Sequence, residues 1–109
     1  MDAQLRALAE PRRREILQLV WNQELPAGEI AAHFDVTRPA ISQHLTVLKQ
    51  ADLIVERRAG TRRLYRARRE QVAAVLTFLQ SFWDESLAAL KQAAEAEERE
   101  ERARDEREA

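Results

Sequence analysis

Thr37-Arg38-Pro39-Ala40-Ile41-Ser42-Gln43-His44 sets two hydroxyls, a guanidinium, a carboxamide and an imidazole within eight residues. An arginine can grip guanine bidentately and a glutamine can pair in the same way with adenine. Thr and Ser hydroxyls hydrogen-bond phosphate oxygens, as does the free N–H end of a helix. A second concentration follows. Arg57, Arg58, Arg62, Arg63, Arg66, Arg68 and Arg69 put seven guanidiniums within thirteen residues. Such a cluster repels itself unless an anion neutralises it, and a nucleic-acid backbone is the ligand that suits it. A solvated basic face is the competing reading. Arg12-Arg13-Arg14 forms a third group, read equally as phosphate contacts or as partners in ion pairs within the protein.

Other chemistries lack their residues. The chain has no cysteine, so it has no disulfide, thiolate ligand or Cys nucleophile. Its two histidines, His33 and His44, fall on different expected helices, so no metal site and no cofactor are expected. Catalysis needs partners at defined geometry, and there is neither a Gly-rich phosphate loop nor a Ser/His/Asp order, so an enzyme is not expected. No stretch approaches the roughly 20 apolar residues that span a bilayer, and Met1-Asp2-Ala3-Gln4 lacks a basic leader. The expectation is no membrane contact and a cytoplasmic location. The net charge of -1 conceals an asymmetry. Residues 1–69 hold 13 Lys/Arg against 8 Asp/Glu, a net of +5, and residues 70–109 hold 5 against 11, a net of -6. That split suits a polyanion-binding face joined to an acidic, solvated segment.

The elements that must position these groups can be read from hydrophobic spacing. Leu5 and Leu8 suit one face of a short first helix. Pro11 suits the first turn of a second helix, expected over Pro11–Asn22, with Ile16, Leu17, Val20 and Trp21 inward. Leu25-Pro26 breaks the chain, and Pro26 or Ala27 opens a short third helix with Ile30, Ala31 and Phe34 inward. Thr37 is a good N-cap for a fourth helix reaching about Gln50, with Pro39 tolerated in its first turn. Ile41, Leu45 and Leu48 face its core, which leaves Thr37, Arg38, Ser42 and Gln43 outward. The period then changes: residues 53–58 and Arg62–Ala67 read as a hairpin turning at Ala59-Gly60-Thr61, with Gly60 able to take a positive φ. From about Arg69 to Ala94 or beyond, Val72, Leu76, Leu79, Trp83, Leu87 and Leu90 recur at four and three residues, widened by Val75, Phe78 and Phe82. One small domain cannot cover so long a stripe, and a second copy of the same helix can. The aromatics Phe78, Phe82 and Trp83 are read first as dimer core, with a seat for a small-molecule effector as the alternative. Residues 1–94 are thus expected to form one domain, and 95–109 a charged tail that either extends the helix or frays.

A short helix, a tight turn and a helix whose N-terminal side chains are polar compose a helix-turn-helix, whose second helix enters the major groove. Three segments resemble the ArsR-type (ArsR/SmtB) winged-helix repressors. Leu8-Ala9-Glu10-Pro11-Arg12-Arg13-Arg14-Glu15-Ile16-Leu17 resembles the family's opening, and Arg38 to Leu48 its recognition helix. Ala51-Asp52-Leu53-Ile54 is similar to the A-G-L-[V/I] that follows, with Asp52 replacing the usual glycine. Arg57 to Arg66 resembles the wing. The resemblance implies a mainly α fold with a small β-hairpin, a winged helix-turn-helix that forms a homodimer through the first and last helices. It implies a repressor that binds an inverted-repeat DNA operator and is released by a ligand. The segment Glu24-Leu25-Pro26-Ala27-Gly28-Glu29-Ile30 lacks the cysteines of the metal-sensing members, so the similarity is to the metal-independent branch. The expected DNA contacts are Thr37, Arg38, Pro39, Ser42, Gln43, His44, Arg57, Arg58, Arg62, Arg63 and Tyr65. The expected dimer contacts are Leu5, Leu8, Val75, Leu79, Phe82, Trp83, Leu87 and Leu90. A winged-helix protein-interaction module that reads no DNA is the alternative function.

Overall fold

The computed structural model describes residues 1–108. Its elements are α1 (Asp2–Ala9), α2 (Pro11–Leu19), β1 (Leu25–Pro26), α3 (Ala27–Ala32), α4 (Arg38–Gln50), β2 (Ile54–Ala59), β3 (Arg62–Ala67) and α5 (Arg69–Glu108). The chain divides into two compact units, Met1–Val75 and the residues from Leu76 onward.

The first unit closes around one apolar cluster. Ile16, Val20, Ile30, Ile41, Leu48 and Leu53 are fully buried, so every helix from α2 to α4 and the start of the hairpin contributes to it. Each such side chain adds about 1.5–3 kcal/mol by leaving water. Pro11 opens α2, as its fixed φ predicts. The helix ends at Leu19, three residues before the expected Asn22, because the Val20 carbonyl accepts from the Ala67 N–H at 3.0 Å instead of continuing the helix.

Thr37 caps α4 by accepting from the Ala40 N–H at 3.3 Å. At the other end Asp52 takes a positive φ of 62°. The Asp52 N–H then reaches the Lys49 carbonyl and the Leu53 N–H the Leu48 carbonyl, both at 3.0 Å. This is a Schellman cap, and its accompanying apolar contact is the buried pair Leu48 and Leu53. Glycine is the usual residue in that conformation, and Asp is one of the few alternatives because its short side chain bonds locally. Here its carboxylate accepts from Arg68 at 2.5 Å.

β2 and β3 form the expected hairpin, in register from Ile54 opposite Ala67 to Ala59 opposite Arg62. Gly60 has a φ of 64°, and a glycine with positive φ first in a two-residue loop matches the twist of the flanking strands. The sheet has a third member that hydrophobic spacing does not disclose: β1 pairs antiparallel with β3, Leu25 opposite Tyr65 and Pro26 opposite Leu64. The segment expected as a simple break is therefore a strand that ties the start of α3 to the hairpin.

α5 reaches Glu108, so residues 95–108 are helical. Val75 is covered by the first unit's own core, at 2% exposure, which removes it from the expected dimer contacts. The second unit is the remainder of this helix. Leu79, Phe82, Trp83, Leu87 and Leu90 are 45–69% exposed on it. No helix among the described residues is long and apolar enough to cross a membrane.

Candidate nucleic-acid interface

One face of the hairpin adjoins α4. Ser42 and Thr46 of α4 form one wall of a groove whose other wall is Arg63 and Tyr65 of β3, with Lys49 and Glu56 between them. A second link runs through α3. Arg62 at the hairpin tip pairs with Glu29 at 3.2 Å, and a Cβ on the adjacent Gly28 would stand 3.9 Å from the Arg38 guanidinium. Arg38 and Arg62 thus converge on consecutive residues of α3.

Each expected contact residue has a definite place. Thr37, Arg38, Pro39, Ser42 and Gln43 are exposed on the first two turns of α4. His44 is half-buried, with Nδ1 3.3 Å from an Arg13 nitrogen. The guanidinium can only donate, so this contact suits the neutral imidazole whose proton sits on Nε2 and whose Nδ1 accepts. Burial lowers the His44 pKa, and the charge of Arg13 lowers it further. Arg57, Arg58, Arg62 and Arg63 are exposed on the hairpin, and Tyr65 is half-buried beside the groove. Leu5 and Leu8 are half-buried against the first unit's core.

The basic cluster does not wait for an external anion. Arg57 pairs with Glu24 at 2.8 Å, Arg62 with Glu29, Arg63 with Glu56 at 3.3 Å and Arg68 with Asp52. Arg58 and Arg66 form no ion pair among the described residues. Opposite residues of a hairpin share a face, so Arg58 and Arg63 stand together beside Glu56 and Tyr65. Glu56 also holds Lys49 of α4, at 2.5 Å. Hydrogen bonding to Lys49, and the charges of Lys49, Arg63 and Arg58, keep the Glu56 carboxyl below the usual range. A single carboxylate therefore couples α4 to both strands of the hairpin. Glu24 is likewise held low by Arg57.

Glu24, Glu29 and Glu56 were not among the expected site residues. Their signal was available only in part, since the two acids of 24–30 stand in sequence beside Leu25-Pro26 but their partners lie about thirty residues on. The Arg12-Arg13-Arg14 run also has partners within the protein. Arg13 donates to the Ala7 carbonyl at 2.7 Å and the Arg6 carbonyl at 3.1 Å, and Arg14 to the Leu8 carbonyl at 2.7 Å. These are last-turn carbonyls of α1 that have no partner within the helix, and cations there also offset the helix dipole. Arg12 pairs with Glu15 at 2.8 Å and lies 4.8 Å over the Phe34 ring. Arg13 and Arg14 make no ion pair among the described residues: both donate to backbone carbonyls, and Arg13 also reaches His44.

Among the described residues, no three His, Asp or Glu side chains come close enough to hold a metal ion. His33 turns to its own helix, with Nδ1 2.8 Å from the Glu29 carbonyl oxygen.

Comparison with known proteins fits this arrangement. The profile of the bacterial regulatory proteins of the arsR family matches residues 10–55, which run from the start of α2 into β2. HTH-type transcriptional regulator Rv2034 of Mycobacterium tuberculosis is 42% identical over 96 residues, covering 88% of this chain and 90% of that protein. Transcriptional repressor SdpR of Bacillus subtilis is 43% identical over 60 residues, covering 55% of this chain and 67% of its own length. The solution structure of a homodimeric winged helix-turn-helix DNA-binding domain from Mycobacterium bovis superposes with a TM-score of 0.63 at 34% identity, over 77% of this chain and 78% of that one. The chain belongs to the arsR family of bacterial regulatory proteins: it is a winged helix-turn-helix, DNA-binding regulator of transcription and not an enzyme.

Proposed function

We propose that the chain is a cytoplasmic repressor that binds a near-palindromic operator as a homodimer. The observation that carries this reading is the groove shared by α4 and β3, in which Ser42 and Thr46 stand across from Arg63 and Tyr65. Arg38 and Gln43 read base edges in the major groove, with Ser42 beside them. Thr37 and the first turn at Pro39 approach the phosphates, and His44 offers its Nε2–H from the edge of the helix. Arg57, Arg58, Arg62 and Arg63 lie along the sugar-phosphate backbone, with Tyr65 at the foot of the groove. In the free protein Glu24, Glu29 and Glu56 hold Arg57, Arg62 and Arg63, and on DNA phosphates replace these carboxylates.

The exposed stripe of Leu79, Phe82, Trp83, Leu87 and Leu90 supports dimerisation, because so continuous an apolar face stays in water only at a high cost. A second copy covers it, with Leu5 and Leu8 of α1 contributing, and Phe78, Phe82 and Trp83 are dimer core. The M. bovis domain is homodimeric and SdpR is named a repressor, and both support the same reading of this chain. These roles fall within residues 1–94. Two recognition helices about 34 Å apart, one turn of B-DNA, demand half-sites with that spacing.

The test is selection from a random double-stranded pool, with light scattering of the free protein. Enrichment of an inverted repeat by a dimer is the expected result. A monomer in solution, or retained DNA with no enriched sequence, would refute the assignment.

A further inference from the structure

We propose that Thr46 and Val47 form a methyl-reading surface for thymine on α4, and that this surface sets part of the operator sequence. The inference rests on the reading of α4 as the helix that enters the major groove.

The exposed face of α4 is polar in its first two turns and changes character in the third. Ser42, Gln43, Thr46 and Val47 line a shallow, largely apolar depression on that face. Val47 is 36% exposed, its neighbours Leu45 and Leu48 are buried, and it is not among the residues packed against the core cluster, so it belongs to the outer face. A branched apolar side chain is an unfavourable choice for an exposed helix position, where straight-chain residues lose less rotamer freedom. Thr46 reinforces the effect. Its hydroxyl donates to the Ser42 carbonyl at 2.9 Å, one turn back. With that proton committed to its own helix, Thr46 meets a ligand through its methyl and not as a donor.

The ligand chemistry follows from the neighbour. Gln43 stands one turn before Val47 and carries the carboxamide that matches adenine N6 and N7. The base paired with adenine is thymine, whose C5-methyl is the one apolar group that a base pair shows in the major groove. A glutamine beside an apolar depression therefore matches an A·T pair on both of its strands or two adjacent A·T pairs. 5-Methylcytosine presents the same methyl, so the test must separate the two sources.

The probe is the duplex enriched from a random pool, resynthesised with each thymine in turn replaced by deoxyuridine, which deletes one methyl. A companion set replaces each cytosine by 5-methylcytosine. Affinities are compared for the wild type and for the Thr46→Ser, Val47→Ala double variant, which keeps a hydroxyl at position 46 and lowers helix propensity at neither position. One buried methyl is worth about a fourfold change in affinity. The wild type should lose about that factor at one or two thymines per half-site, and the double variant should bind the thymine and uracil duplexes equally. Indifference of the wild type to every uracil would overturn the inference. So would an equal loss in the double variant, or a response to 5-methylcytosine alone. Failure of the pool to yield any enriched sequence would instead remove the base-reading role of α4, and this inference with it.

Discussion

Arg62→Ala tests the proposed phosphate contact at the hairpin tip. In the free protein Arg62 pairs with Glu29 at 3.2 Å, and both side chains are more than half exposed, at 58% and 56%. An exposed pair of this kind contributes less than about 1 kcal/mol to folding, so the variant should melt within a few degrees of the wild type. Its effect on DNA is larger. Each phosphate neutralised by the protein contributes about 0.9 to the slope of log affinity against log salt. Loss of one contact should therefore flatten that slope by about 0.9. Over a fourfold rise in salt, from about 50 to about 200 mM, the variant should lose about 3.5-fold less affinity than the wild type. The flattening should be the same on specific and random duplexes, because a phosphate carries no sequence information. Glu29→Gln acts in the opposite direction: it removes the carboxylate that competes with phosphate for Arg62, so it should raise affinity and steepen the slope. Fluorescence anisotropy at several salt concentrations measures both. Unchanged slopes, or shifts of the same sign in the two variants, would refute the exchange of carboxylate for phosphate at the wing tip.

Arg13→Ala removes charge-assisted bonds to the Ala7 and Arg6 carbonyls, and chemical denaturation should show a loss of about 2 kcal/mol. Asp52→Gly relieves a positive φ at the end of α4 and gives up only an exposed pair with Arg68, so the melting temperature should rise by about 2–4 °C. The pH dependence of stability has a sign fixed by His44, whose folded-state pKa lies below its ordinary 6.5 because of burial and Arg13. As pH falls through 6.5 the unfolded chain takes up the proton first, so this contribution is intact above that pH and drains away below it until the folded pKa is reached. The urea midpoint should fall between about pH 7.5 and 5.5, and His44→Gln should flatten that fall. Glu24 and Glu56 are held below 4.5 by Arg57 and Lys49, so their contributions are lost only at lower pH and do not enter this window.

Much of the fold is local enough to be read along the chain. Pro11 at the start of α2, Thr37 at the start of α4, the four-and-three recurrence of Ile41, Leu45 and Leu48, and Gly60 in the hairpin loop each act within a few residues, and each was legible. The outward placement of Thr37, Arg38, Ser42 and Gln43 follows from the same helical period. Family membership was legible for the same reason, since the matching segments are contiguous stretches in fixed order.

What the sequence could not disclose involves partners far apart in the chain. The two-residue strand β1 exists only because β3 lies beside it, and α2 ends early because Ala67 captures the Val20 carbonyl. Val75 shares the apolar period of the exposed stripe, yet the core of the first unit covers it. The arginines show the distinction most plainly. Composition counts their charges but is silent about their partners, because an ion pair depends on a distance across the fold and not along the chain. Tertiary structure therefore decided that Arg13 and Arg14 cap α1, while Arg57, Arg62 and Arg63 are held by Glu24, Glu29 and Glu56.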